Sequence, residues 1–179
     1  MEQLSFFDLN DRLEQISKIG DPLEVLNDMV DWGKFDGILL KAKVKGIQDR
    51  NVNGNAGRKP FGLRLMLKVF ILQSLYNLSD DQMEYQIKNR LSFMRFLGLG
   101  LNGTVPDAKT IWNYREMFVR TETWERLFKK FDRMLGWVKG NHELFVRTIG
   151  MARAKAKILA SFLTYNMFRM VALARPKWA

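Results

Sequence analysis

The stretch "FGLRLMLKVFILQSLYNLSDDQMEYQIKNR" (Phe61–Arg90) decides the fold. Its first half, Phe61–Asn77, is apolar around most of a helical circumference, which marks a central buried helix. Arg64 and Lys68, four residues apart, mark its one expected wet edge. Ser79-x-x-Gln82 fits a capping box, in which hydroxyl and amide each satisfy a free backbone N–H, so a second helix starts at Ser79. Only a short turn parts the two helices, and they must cross sharply.

Outward from that pair almost everything reads as helix. Phe7–Ile16 is a short amphipathic segment. Asp21-Pro22 opens a helix running to about Trp32, with proline at the first helical position, where its missing N–H costs little. A further short segment spans Phe35–Lys43. "KGIQDRNVNGNAGRKP" (Lys45–Pro60), rich in Gly and Asn, reads as an exposed loop with a basic end. Beyond Arg90, Asp107 is the expected N-cap of a helix reaching about Arg120. Ile111, Tyr114 and Phe118 form its inner stripe; Lys109, Asn113, Glu116 and Arg120 fall opposite. Glu122–Val138 places Trp124, Leu127, Phe128, Phe131, Leu135 and Val138 on one face, with Glu122/Arg126 and Glu125/Lys129 as i,i+4 pairs. Met151–Leu173 forms a long helix, basic near its start and apolar toward its end. Only "ELFVRTI" (Glu143–Ile149) is strand-like, and it has no second strand to pair with. The expected fold is all-α: a multi-helix bundle with a trihelical, helix-turn-helix-like unit and a long C-terminal helix.

Charge is unevenly spread. Residues 1–57 hold 7 basic and 10 acidic residues, residues 58–143 hold 15 and 9, and residues 144–179 hold 7 and none. That gradient points to a polyanionic partner for the second and third parts. Cysteine is absent and histidine single (His142), which argues against a disulfide framework and a zinc site of the usual ligands. The N-terminus lacks the basic and apolar regions of a signal peptide, and uncharged runs stop at 11 residues, short of a membrane span. The expectation is a cytoplasmic protein with no membrane, metal or cofactor. "GLGLNG" (Gly98–Gly103) matches the dinucleotide fingerprint in letters, but that motif needs a strand before it and a helix directly after it; a helix C-cap with a flexible loop accounts for it better.

In a trihelical unit the last helix enters the major groove with its N-terminal residues on base edges. Lys109, Thr110 and Asn113 would face bases; Trp112, Arg115 and Arg120 would flank or hold phosphates. Arg58 and Lys59 in the loop add charge, as do Lys88, Arg90 and Arg95 among aromatics, and Arg147, Arg153, Lys155 and Lys157 in the tail. A plain helical bundle with a polar face competes with this reading. No carboxylates converge in the sequence as a metal-dependent nuclease requires, so no catalytic residue is assigned.

"MEQLSFFDLNDRL" (1–13), "GDPLEVL" (20–26), "LMLKVFILQSLYNLSDDQMEYQIKNRLSFMRFLGLGL" (65–101) and "VPDAKTIWNYRE" (105–116) closely resemble the N-terminal region of bacterial insertion-sequence-5-type transposases. "LFVRTIGMARAKAKI…LTYNM" resembles the extreme C-terminus of the same family. Between these two segments the family carries an RNase H-like core whose two Asp and one Glu bind magnesium. Here "MLGWVKGNHE" runs straight into "LFVRTIG", and Glu143 at the junction does not match the glutamate motif. The resemblance implies a transposase N-terminal helical DNA-binding domain (1–138), a junction (139–149) and a tail helix (150–179) packed on it or on a partner. It also implies transposon terminal inverted repeats as the DNA partner, with a homodimer, or a heterodimer with full-length transposase, as assemblies. Binding without cutting, and regulation of transposition, is the expected function. A transposase fragment completed by another chain and a helical protein–protein interaction module are the alternatives.

Overall fold

A computed structural model describes residues 6–48, 60–135 and 151–174. Among them the backbone forms helices and no strand. In chain order these are α1 (Phe6–Ile19), α2 (Pro22–Met29), a 3-10 turn (Trp32–Phe35), α3 (Asp36–Gln48), α4 (Leu63–Tyr76), α5 (Asp80–Asn89), α6 (Leu91–Leu97), α7 (Ala108–Arg120), α8 (Thr123–Leu135) and α9 (Met151–Ala174). The all-α bundle expected from periodicity is what the chain forms.

α4 is the axis. Every residue from Met66 to Gln73 is buried, as a helix apolar on all sides must be when neighbours cover its whole circumference. It ends at Asn77, whose φ of 51° is left-handed, a conformation asparagine tolerates better than most side chains. The expected capping box then starts α5: Ser79 N donates to Gln82 Oε1 at 2.9 Å, and Gln82 N donates to Ser79 Oγ at 3.2 Å. Asp21 caps α2 behind Pro22, and Asp107 caps α7 through its Thr110 N–H.

Lys68 corrects the expected wet edge. Arg64 is exposed and pairs with Asp36, but Lys68 is only 9% exposed. Its ammonium donates to Asn27 Oδ1 at 2.6 Å and to the Phe96 carbonyl at 2.9 Å, and lies over the Trp32 and Phe96 rings. A buried ammonium needs such acceptors, and these tie α2, α4 and α6 together. Two boundaries also differ. α3 continues through Gly46 to Gln48, beyond the expected loop start, and residues 49–59 lie outside the described segments. After α5, Arg90 adopts extended backbone and starts a separate helix, α6, that the periodicity did not isolate. Gly98 closes α6 at φ 73°, so "GLGLNG" follows a helix, as its C-cap reading requires.

Phe70, Phe118 and Trp124 form a mutual edge-to-face cluster, with centroids 5.4, 5.4 and 5.5 Å apart, joining α4, α7 and α8. α9 lies along α4 and α8. Leu163 and Met167 are buried there, Phe162 meets Phe128 at 6.3 Å, and Ser74 Oγ donates to Ser161 Oγ at 3.3 Å. The apolar C-terminal half of α9 therefore packs on the helices that precede it. Leu135 and Val138 of the expected α8 stripe and the strand-like residues 143–149 lie outside the side chains or residues described.

Candidate nucleic-acid interface

α7 sits over α5 and is fixed at its first turn from two sides. Asp107 Oδ1 accepts from Thr110 N, and Glu84 Oε2 on α5 accepts from Ala108 N at 2.9 Å. Acceptors there suit both the free N–H groups and the helix dipole. The inner stripe is as the spacing predicts: Ile111 and Phe118 are fully buried, and the Tyr114 hydroxyl donates to the Phe61 carbonyl at 2.9 Å. That orientation leaves Lys109, Trp112 and Arg120 exposed and Asn113 half-buried.

The remaining cations divide by what holds them. Arg95 is a structural tie: its Nη2 donates to Asp21 Oδ2 at 2.7 Å and its Nη1 to Ser17 Oγ at 2.7 Å and the Leu13 carbonyl at 3.2 Å, so it pins α1 and α2 to α6. The expected open basic patch around it is thereby occupied by Asp21 and Glu24. Arg90 lies over the rings of Tyr76 and Phe93. Lys88 pairs with Glu84 at 2.7 Å. Lys88 and the Ala108 N–H together hold the Glu84 carboxyl below its ordinary range. Arg58, Lys59 and Arg147 lie outside the described residues.

Three of the expected residues meet in one place. A cleft of about 800 Å³ runs between the end of α4, one face of α7 and the first half of α9, and Arg115, Arg153 and Lys157 all line it, with Trp112 beside them. Arg115 Nη1 donates to Asp80 Oδ2 at 2.8 Å and its Nη2 to Gln73 Oε1 at 2.9 Å. Arg153 forms a two-pronged pair with Glu116, at 2.9 and 3.0 Å. Lys155, on the next face of α9, pairs with Glu125 at 2.5 Å. Lys155 gives Glu125 a cross-helix partner, and the charge of its i,i+4 neighbour Lys129 acts on the same carboxylate. The basic start of α9 therefore lies against α7 and α8, on the side that carries Arg115.

Sequence reasoning did not find the carboxylates that hold these cations, nor Trp124, Ser74 and Ser161 as cleft residues. The signal available was the spacing Arg153, Ala156, Lys157, Ala160, Ser161, which puts small side chains and two cations on one helical face.

The family described as a transposase domain (DUF772) matches residues 11–117, more than half of the chain. The chain belongs to this transposase-domain family. The matched part of the transposase domain runs from α1 into α7 and so includes Arg115, while α8 and α9 lie beyond it. No solved structure matches the chain. Among the described residues of this transposase-domain protein, no three Asp, Glu or His side chains gather where they could share a metal ion, and no helix is long and apolar enough to cross a membrane.

Proposed function

We propose that this chain binds the terminal inverted repeats of an insertion sequence without cutting them. In this reading it is the front of an insertion-sequence-5-type transposase joined to its tail, with the Asp/Asp/Glu core missing. It competes with the intact enzyme for DNA or forms inactive mixed dimers with it. The observation that supports the reading best is the approach of two basic elements distant in sequence. The exposed Lys109 and Arg120 of α7 and the half-exposed Arg153 and Lys155 of α9 belong to helices packed against each other. Phosphates give affinity through such cations. Asn113, on the same helix as Lys109, has the amide geometry to read adenine. The acids closest to these cations are engaged: Asp80 and Glu116 pair with arginines, Glu125 pairs with Lys155, and Asp107 caps α7.

Incubation of the purified chain with labelled terminal-repeat duplex and magnesium or manganese tests the reading. The expected result is a shifted complex with both strands intact, and reduced cleavage when intact transposase is added afterwards. Metal-dependent nicking, abolished by changing one of the chain's own carboxylates, would contradict it and favour a fragment that carries catalysis or is completed by another chain.

One observation favours a second reading. Leu40 and Val44, one turn apart on α3, are 59% and 54% exposed, an apolar pair that an interaction module would cover. Oligomerisation preserved without any DNA affinity would select it.

A further inference from the structure

We propose that the cleft between α4, α7 and α9 is a binding site for one unpaired nucleotide, base and phosphate together. The nucleotide comes from a frayed or overhanging DNA end or is a free nucleotide; only the first source rests on the DNA-binding reading above.

The space suits it. A cleft of about 800 Å³ is of the size that holds small organic ligands. It stays open because α9 turns Ala156, Ala160 and Ser161 toward it, where larger side chains would close it, and α4 ends there in Ser74 and Asn77.

The chemistry of its walls divides in two. Trp112, 48% exposed, offers an indole face on which any base can stack. Arg115, Arg153 and Lys157 are offset by Asp80 and Glu116, which leaves one excess positive charge. That excess matches a single phosphodiester or monophosphate and is too small for a triphosphate. The half-buried Lys157 has no hydrogen-bond or ion-pair partner among the described residues, so it is the cation available to that phosphate. Trp124 also lines the cleft, and its indole Nε1 is a buried donor with no acceptor among the described residues, a deficit that a ligand oxygen or its bound water would meet. Bases inside a duplex have both faces stacked and cannot use Trp112, so the site selects an unpaired residue.

The test compares the folded chain with Trp112→Ala, Lys157→Met and Ala160→Leu, the last filling the cleft, each checked by circular dichroism and thermal melting. Binding is measured by anisotropy to a blunt terminal-repeat duplex and to the same duplex with a short unpaired overhang, and by calorimetry to thymidine 5′-monophosphate. The overhang is expected to tighten binding about tenfold, as one stacked base would. That preference is lost in all three variants, while blunt-duplex binding persists in Ala160→Leu. Monophosphate binding that the variants abolish, without any duplex binding, supports the site with free nucleotide as its source and overturns the DNA reading. Equal binding of both duplexes, with no monophosphate binding, overturns the cleft proposal and leaves the DNA reading standing. An overhang preference that survives all three variants overturns it too, and no binding of any probe overturns both.

Discussion

Arg115 on α7 reaches Asp80 at the start of α5, its Nη1 donating to Asp80 Oδ2 at 2.8 Å while its Nη2 also holds Gln73 of α4. One guanidinium thus fixes the relative placement of three helices. Burial pushes the Asp80 carboxyl up, but the hydrogen bonds from Arg115 and Gln73 and the guanidinium charge outweigh it and hold it below its ordinary range.

Arg115→Met is expected to cost about 2 kcal/mol, because it leaves Asp80 half-buried without its charged donor. The pH dependence carries the signature. A depressed folded-state value means that the contribution is present above the unfolded carboxyl value, about 4, and is lost as pH falls through the lower folded value. Urea denaturation of parent and variant should therefore differ near neutral pH and converge in acid. A gap that is the same at both would place the loss in packing alone.

Lys68 gives the opposite profile. Burial, with Arg64 one turn away, pushes its ammonium down to about 8 from 10.5. Between those values the unfolded chain holds a proton that the folded chain has released, so this site's contribution to stability rises with pH across that window. The melting temperature of Lys68→Met should climb less steeply than that of the parent over the same range. Parallel curves would show that Lys68 titrates as an ordinary lysine.

Leu163, 1% exposed, anchors α9 against the bundle. Leu163→Ala is expected to destabilise the chain by about 3 kcal/mol through lost burial and the cavity left behind. Hydrogen exchange should speed up in α9 together with α4 and α8. Faster exchange confined to α9 would mean that the helix folds as a separate unit.

Glu116 holds Arg153 in a solvent-exposed pair, a contact worth little in stability. Glu116→Gln removes a negative charge from the proposed DNA surface and releases Arg153 to phosphate. It should raise DNA affinity and steepen the dependence of log K on log salt by about 0.9, one phosphate contact. Unchanged affinity and slope would remove Arg153 from the interface.

The parts of the fold that were legible rest on local signals. Ser79 with Gln82, Asp107 and Asp21 with Pro22 satisfy backbone N–H groups within a few residues, and α4 has too little polar surface to lie anywhere but inside. Lys68 was misread because its acceptors, Asn27 and the Phe96 carbonyl, arrive from helices 41 and 28 residues away. Arg95, Arg153 and Lys155 have the same cause: a basic residue in a sequence looks free, and tertiary packing supplies its carboxylate. The break between α5 and α6 has neither Gly nor Pro to mark it, only the extended backbone of Arg90. The cleft was invisible because it is defined by small residues on α9 facing the end of α4.

The most direct measurement of the central claim is the affinity of the purified chain for labelled terminal-repeat duplex across a series of salt concentrations, beside Lys109→Ala and Arg120→Ala. The account predicts a linear fall of log K with log salt, and a slope shallower by about 0.9 for each lysine or arginine removed. Absence of binding at the lowest salt would contradict it, as would binding whose salt dependence neither substitution alters.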